Sequence, residues 1–215
     1  MNQLFEFDKN FNKIILGTDE AGRGPAAGGV FAACVYFKEI NNELISKLEK
    51  LNDSKKLSKS AREKLYDIIK LNTINSVVCI EVEEIEKVNI LNASLHAMKL
   101  ACENVISQLN ADKSSILTLV DGNKLIKNYN YEQKFIIKGD SKSASIAAAS
   151  ILAKVERDWY MEKLDKKFPE YGWAKNAGYL TSKHFEAIDK YGLSPYHRPS
   201  FLRKHYESAK QLTLC

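Results

Sequence analysis

The sequence predicts an α/β fold in which a five-stranded mixed sheet is flanked by helices. Five short apolar runs have the length of buried strands, and they lie at residues 13–16, 30–37, 76–82, 116–120 and 135–137. Segments with apolar residues at every third or fourth position separate them, and such segments form helices that pack on a sheet. The 215 residues, of which 45% are hydrophobic and 27% charged, are enough for one main core.

Charge and cysteine content limit the compartment and the class of partner. The formal net charge of +5 suits a polyanionic partner without requiring one. The cysteines are far apart, and no histidine stands at zinc-finger spacing, so we expect free thiols in a reducing compartment. Since neither a signal peptide nor an apolar run of membrane-spanning length is present, we expect a cytoplasmic protein without membrane association.

A glycine-rich segment with two adjacent acids lies between the first two strands, at residues 17–29. Asp19 and Glu20 repel each other, and such pairs are usually tolerated where a cation neutralises them. The glycines around Arg23 and Pro25 permit unusual backbone conformations and let a ligand approach the main chain closely. Acids and glycines are also ordinary turn residues, so spacing alone allows a plain hairpin turn equally well.

A short helix and a basic loop follow the second strand. Leucines at helical spacing within residues 41–51 predict a helix that docks on the core. Residues 52–58 are polar and include Lys55 and Lys56, and a solvated linker is the simplest interpretation of such a loop. A capping box at Ser60 predicts the start of the next helix.

The third strand leads through an acidic turn into a long helix. Its apolar residues at spacings of three and four indicate core packing rather than function, and they are Leu95, Met98, Cys102, Val105 and Leu109. Asn89 and Asn92 precede this stripe, and we expect them to cap the helix rather than to meet a ligand.

Two further acids follow the fourth and fifth strands. Asp121 precedes Gly122, and Asp-Gly between two apolar runs is also a strong hairpin signal, so a simple turn is an alternative. Asp140 is equally compatible with an N-cap of the following helix. That helix begins with residues 144–153, nearly all Ala, Ser and Ile, and so small a face predicts close packing on the sheet near the acids.

The tail from residue 169 interleaves aromatic and basic side chains. The aromatic residues are Tyr171, Trp173, Tyr179, Tyr191, Tyr196, Phe201 and Tyr206, and the basic ones are Lys175, Lys183, Arg198, Arg203 and Lys204. Rings among cations suit stacking on bases and contacts to phosphates, although most rings in any protein belong to its core. We expect residues 169–215 to form a helical extension packed on a main domain of residues 1–168.

Four of these stretches resemble, in the expected order, the motifs of type 2 ribonuclease H, the ribonuclease HII family. They are Asp-Glu-Ala-Gly-Arg-Gly-Pro after the first strand, Asp-Ser-Lys-Lys-Leu-Ser in the basic loop, Val-Asp-Gly-Asn after the fourth strand, and Lys-Gly-Asp with the small-residue helix. Gly-Tyr and Ser-Pro-Tyr-His-Arg in the tail are also similar to the family pattern. The resemblance runs through about residue 201 and implies a ribonuclease H-like fold.

The resemblance implies a metal-dependent endoribonuclease. It assigns four acids as catalytic residues and as ligands of two Mg²⁺ or Mn²⁺ ions, namely Asp19, Glu20, Asp121 and Asp140. Hard oxygen ligands suit these ions, and the scarcity of histidine argues against zinc. The implied reaction is two-metal hydrolysis of the RNA strand of RNA/DNA hybrids and 5′ to single ribonucleotides in duplex DNA, leaving a 3′-hydroxyl and a 5′-phosphate.

The resemblance also assigns the substrate contacts. The residues that it implies are Gly22, Arg23, Gly24 and Tyr179 for reading the 2′-hydroxyl, and Lys55 and Lys56 for the substrate backbone. Three alternatives stay open: a type 3 ribonuclease H-like hybrid nuclease without junction cleavage, a related metal nuclease or recombinase, and a non-catalytic module for RNA/DNA hybrids. The last has no use for four acids facing a polyanion. We expect a monomer.

Overall fold

Five strands pair into one mixed sheet in the computed structural model, which describes residues 3–51, 54 and 57–203. The strands are β1 (Ile14–Ala21), β2 (Val30–Phe37), β3 (Thr73–Ile80), β4 (Ile116–Asp121) and β5 (Glu132–Ile136), in the spatial order β3-β2-β1-β4-β5. β1 pairs antiparallel with β2 and parallel with β4, and β5 is parallel to β4. The predicted five-stranded mixed sheet is confirmed.

Helices cover both faces of the sheet. Within the described residues they are α1 (Gln3–Lys9), α2 (Asn42–Lys47), α3 (Lys59–Asn72), α4 (Val82–Val88), α5 (Ile90–Ile106), α6 (Ala144–Lys167), α7 (Trp173–Asn176) and α8 (Ser182–Tyr191). α5 packs on one face of the sheet, whereas α3 and α6 pack on the other. In this part of the chain, no helix combines the length and apolar character needed to cross a bilayer.

The small residues at the start of α6 bring this helix into close contact with β1, as predicted. A Cβ atom added to Gly17 would lie 2.1 Å from the carbonyl carbon of Ser145 and 2.3 Å from the nitrogen of Ile146. Because those atoms are backbone, they cannot swing aside as a side chain would. Gly17 therefore sets the distance between α6 and the strand that carries two of the acids.

β1 extends further than its apolar run predicts. Pairing with β2 continues through Asp19 opposite Ala33 and Glu20 opposite Ala32, so both acids lie within the strand rather than in the loop after it. The continued ladder of hydrogen bonds is supplied by β2, which a local apolar pattern does not reveal. The two acids are consequently held on a rigid element.

Two helix caps test the local predictions. The side chain of Ser58 accepts the N–H of Ala61 and caps α3, so the capping box predicted at Ser60 is wrong by two residues. The polar run before α3 offers two serines, and the helix starts at the earlier one. Asn89 caps α5 by accepting the N–H of Asn92, as predicted.

The C-terminal segment packs on the loop between β1 and β2. A buried cluster joins its residues to that loop and to the end of α6, and the cluster contains Ala26, Ala27, Met161, Leu164, Tyr171, Trp173, Ala187, Ile188 and Leu202. The rings of Tyr171 and Trp173 stack with centroids 5.0 Å apart. Of the two interpretations open for the aromatic residues of the tail, core packing holds for these two rings, because they fill the core beneath the loop.

Candidate active site

The ends of β1 and β4 bring two of the predicted acids to the same edge of the sheet. These strands are parallel, and Thr18 pairs with Val120, so Asp19 and Asp121 follow at the same level. The hairpin interpretation of Asp121 is wrong, because β4 and β5 are parallel neighbours and a tight turn joins only antiparallel strands. Asp121 instead ends a central strand of the sheet.

Asp140 lies in the 3₁₀ turn Gly139–Ser141, which follows β5 at this edge. It does not cap α6, because the side chain of Ser143 caps that helix by accepting the N–H of Ile146. The turn also holds the neighbouring strand end: the N–H of Gly139 donates to Oδ1 of Asp121 at 2.7 Å. This bond fixes the orientation of the Asp121 carboxyl.

Asp19 is the most buried of the four acids, with 6% of its surface exposed. Burial raises the pKa of Asp19 well above the usual range for a carboxyl, and the charges of Glu20, Asp121 and Asp140 raise it further. The N–H of Glu20 donates to Oδ1 of Asp19 at 2.6 Å, and this hydrogen bond lowers the pKa of Asp19 in part. Glu20, Asp121 and Asp140 thus lie close enough to Asp19 to disfavour its charge.

The donor set of this edge suits a hard divalent cation. Glu20 accepts a hydrogen bond from Nη1 of Arg23 at 3.1 Å, which neutralises only part of the negative charge. Across the described residues, no three carboxylate, histidine or thiolate side chains already surround a common metal position. Oxygen ligands without histidine or thiolate select Mg²⁺ or Mn²⁺.

Two buried arginines, missed as functional residues by sequence reasoning, hold the glycine-rich loop, residues 22–29. Arg198 is fully buried and donates to the carbonyls of Gly22, Pro25 and Gly28, each at 2.8 Å. It is therefore not among the basic residues of the tail that could contact phosphates at the surface. Burial lowers the pKa of Arg198 to about 10, so it stays charged at neutral pH.

Arg157 holds the second half of the loop. Its Nη2 donates to the carbonyls of Ala27 and Ala177, both at 3.1 Å, and its Nε donates to that of Gly29 at 3.4 Å. A Cβ atom added to Gly22, whose φ is +98°, would lie 2.1 Å from Nε of Arg157. The only sequence signal for Arg157 was its place within the fourth motif.

Tyr179 lies on the outer side of the same loop. Its side chain is 54% exposed, so the alternative of a packed core tyrosine is wrong. A Cβ atom added to Gly24 would lie 3.2 Å from Cε1 of Tyr179, which places the ring against the Gly24 backbone. The ring is therefore available to a ligand that also touches the loop.

Lys55 and Lys56 lie outside the described residues, but the residues beside them are anchored. Nη1 of Arg62 donates to the carbonyl of Ser54 at 3.0 Å and to that of Leu57 at 2.6 Å. The basic loop is thus tied to the start of α3 on both sides of the two lysines.

Comparisons with known proteins show which sequences and folds this chain is similar to. The family model described as Ribonuclease HII matches residues 16–209. The chain is 48% identical over 213 residues to a Ribonuclease HII of Fusobacterium nucleatum subsp. nucleatum, covering 99% of this chain and 96% of that protein. It is similar in structure to ribonuclease H2 of Pyrococcus horikoshii OT3, with a TM-score of 0.67 and 27% identity over 90% of this chain and 97% of that one. The ribonuclease HII in a PCNA complex from Archaeoglobus fulgidus is similar too, with a TM-score of 0.68 and 25% identity over 86% of this chain and 93% of that one.

Proposed function

Because the chain belongs to the ribonuclease HII family, we propose that it cleaves 5′ to single ribonucleotides in duplex DNA as well as within RNA/DNA hybrids. The match over residues 16–209 makes it a metal-dependent endoribonuclease with ribonuclease H activity. Cleavage beside a lone ribonucleotide, the number and kind of ions, and the roles of individual residues are parts of the proposal. The alternatives of a non-catalytic hybrid-binding module and of a type 3 enzyme fit this family assignment poorly.

Four acids would hold two Mg²⁺ or Mn²⁺ ions, namely Asp19, Glu20, Asp121 and Asp140. The raised pKa of Asp19 supports this assignment, since a bound cation would relieve the repulsion that raises it. When bound, such ions activate a water molecule and stabilise the leaving 3′-oxygen in an in-line displacement. The chain's own contribution is to hold the carboxyls in place on β1, at the end of β4 and on the turn after β5.

The observation that carries the substrate proposal is the exposed ring of Tyr179 against Gly24, in the loop that continues directly from the acid-bearing strand. A lone ribonucleotide differs from its neighbours only by one 2′-hydroxyl. An enzyme that cuts beside it must read that group at the scissile phosphate. A tyrosine ring stacked on the sugar, with loop N–H groups beside it, would supply this recognition.

The test uses two end-labelled substrates: an RNA/DNA hybrid, and a DNA duplex that carries one ribonucleotide. Each is incubated with the purified protein in Mg²⁺, in Mn²⁺ and in EDTA. We expect metal-dependent cleavage of both, with the duplex cut 5′ to its ribonucleotide and a polymerase-extendable 3′-hydroxyl left on the upstream fragment. Cleavage of the hybrid alone would overturn the junction assignment, and full activity in EDTA would overturn the metal assignment.

A further inference from the structure

Arg198 donates hydrogen bonds to three carbonyls of the glycine-rich loop, and substrate contact cannot be the reason for these bonds. Its guanidinium is fully buried, and its donors reach carbonyls 170 to 176 residues earlier in the chain. One of these is the carbonyl of Gly22, the first residue of the segment assigned to reading the 2′-hydroxyl. The buried side chain of Arg198 cannot touch substrate. It nevertheless determines the orientation of the peptide between Gly22 and Arg23, which belongs to the segment assigned to substrate.

Peptide geometry gives this contact a direction. The C=O and N–H of a trans peptide point to opposite sides, and no cis peptide occurs among the described residues. Because the carbonyl of Gly22 points at the buried Arg198, the N–H of Arg23 points away from it. Neither that N–H nor the N–H of Gly24 has an acceptor in the described part of the chain. Both are available for a ligand outside the loop.

Two other N–H groups of the loop are bound by the C-terminal segment. Ala26 donates to the carbonyl of Gly178 at 2.9 Å, and Gly28 donates to that of Tyr196, also at 2.9 Å. In return, the N–H of Arg198 donates to the carbonyl of Ala26 at 2.7 Å. Gly178 directly precedes the exposed tyrosine of the site. The same set of contacts thus positions the loop and that ring relative to each other.

We propose that Arg198 is a positioning residue through which the C-terminal segment sets selectivity for a single embedded ribonucleotide. By binding the carbonyl of Gly22, it aims the N–H of Arg23 at the sugar beside the cut, and its bond to the carbonyl of Pro25 holds the chain on the far side of Gly24. This inference rests on the proposed function. A long hybrid offers a 2′-hydroxyl at every step of its RNA strand and depends less on one aimed contact, whereas a lone ribonucleotide depends on it entirely.

Lysine cannot replace this arginine, although it keeps the charge. Guanidinium presents five N–H donors in a rigid fork, whereas an ammonium is a compact point charge that cannot span three separate carbonyls. Arg198→Lys should therefore loosen the loop and leave the acids in place. Arg62→Lys is the matched control, because Arg62 also donates to two backbone carbonyls but lies away from the glycine-rich loop.

The experiment measures kcat/KM on the hybrid and on the single-ribonucleotide duplex, below the Tm of every variant. We expect Arg198→Lys to lose about tenfold to 100-fold more activity on the duplex than on the hybrid. Arg62→Lys should lower both equally. In Arg198→Ala, added guanidinium should raise duplex cleavage more than hybrid cleavage.

Equal losses on both substrates in Arg198→Lys, or equal rescue by guanidinium, would overturn the inference and leave Arg198 as a stabilising residue only. The wild-type protein separates this failure from that of the proposed function. If the wild type fails to cut beside a single ribonucleotide, the proposed function is wrong. If it does cut there and the ratio is unchanged by Arg198→Lys, only the role of Arg198 is wrong.

Discussion

Replacing Asp121 by asparagine should separate the chemistry of the site from its stability. The side-chain oxygen of asparagine can still accept the N–H of Gly139, which now donates to Oδ1 of Asp121 at 2.7 Å. The substitution also removes one of the charges that raise the pKa of Asp19. We therefore expect Asp121→Asn to melt at the wild-type temperature or slightly above it in EDTA.

Catalysis should respond very differently. A metal ligand supplies several kcal/mol of transition-state stabilisation, and a loss of about 4 kcal/mol lowers the rate about 1,000-fold. Single-turnover cleavage of the hybrid in Mn²⁺ measures this loss directly. Addition of Mn²⁺ should raise the Tm of the wild type and raise that of Asp121→Asn less.

Asp121→Ala is the matched comparison, because alanine removes both the charge and the acceptor. The partly buried N–H of Gly139 then lacks a partner, which costs about 1–3 kcal/mol. For a chain of this size, each kcal/mol lowers the Tm by about 2–4 °C. Wild-type turnover in Asp121→Asn would refute the metal assignment, and equal Tm values for the two variants would refute the role given to the Gly139 bond.

Four further outcomes are expected. Tyr179→Ala should keep the wild-type Tm and lose more activity on the single-ribonucleotide duplex than on the hybrid, whereas equal losses would contradict its role at the 2′-hydroxyl. Lys55→Ala with Lys56→Ala should weaken hybrid binding and flatten its salt dependence; an unchanged salt slope would make the loop a linker. Gly17→Ala should lower the free energy of unfolding by about 3 kcal/mol or more, because its Cβ would meet the backbone of α6 at 2.1 Å; a wild-type denaturation midpoint would contradict this. Burial and the nearby His184 lower the pKa of His197 from 6.5 to about 4, so the unfolded chain binds the proton more readily and stability falls as the pH drops from 6.5 towards 4. This loss should amount to about 3 kcal/mol in denaturation curves and should be smaller in His197→Asn, which keeps only the burial-lowered pKa of His184.

Several expectations stay predictions. The division into residues 1–168 and 169–215, the monomeric state and the cytoplasmic location are tested neither by the fold nor by the comparisons. The contacts of Lys55 and Lys56 fall outside the described residues.

Local patterns in the sequence were sufficient for the number and approximate place of the strands, for the close packing of α6 and for the Asn89 cap, but not for the bounds of β1, β3 and β5. Each depends on neighbouring residues alone: apolar run length, side-chain size and capping chemistry act over a few positions. The four acids were assigned by resemblance to the family's motifs, because local pattern alone left a turn open for Asp121 and an N-cap open for Asp140.

Tertiary structure alone decided which polar residues of the tail are inside. Arg198 and Tyr179 both belong to the aromatic and basic C-terminal segment, yet one is fully buried and the other is 54% exposed. The partners of Arg198 lie up to 176 residues earlier in the chain. No local pattern encodes such a contact, because burial of a long polar side chain is favourable only where distant carbonyls converge to accept its hydrogen bonds.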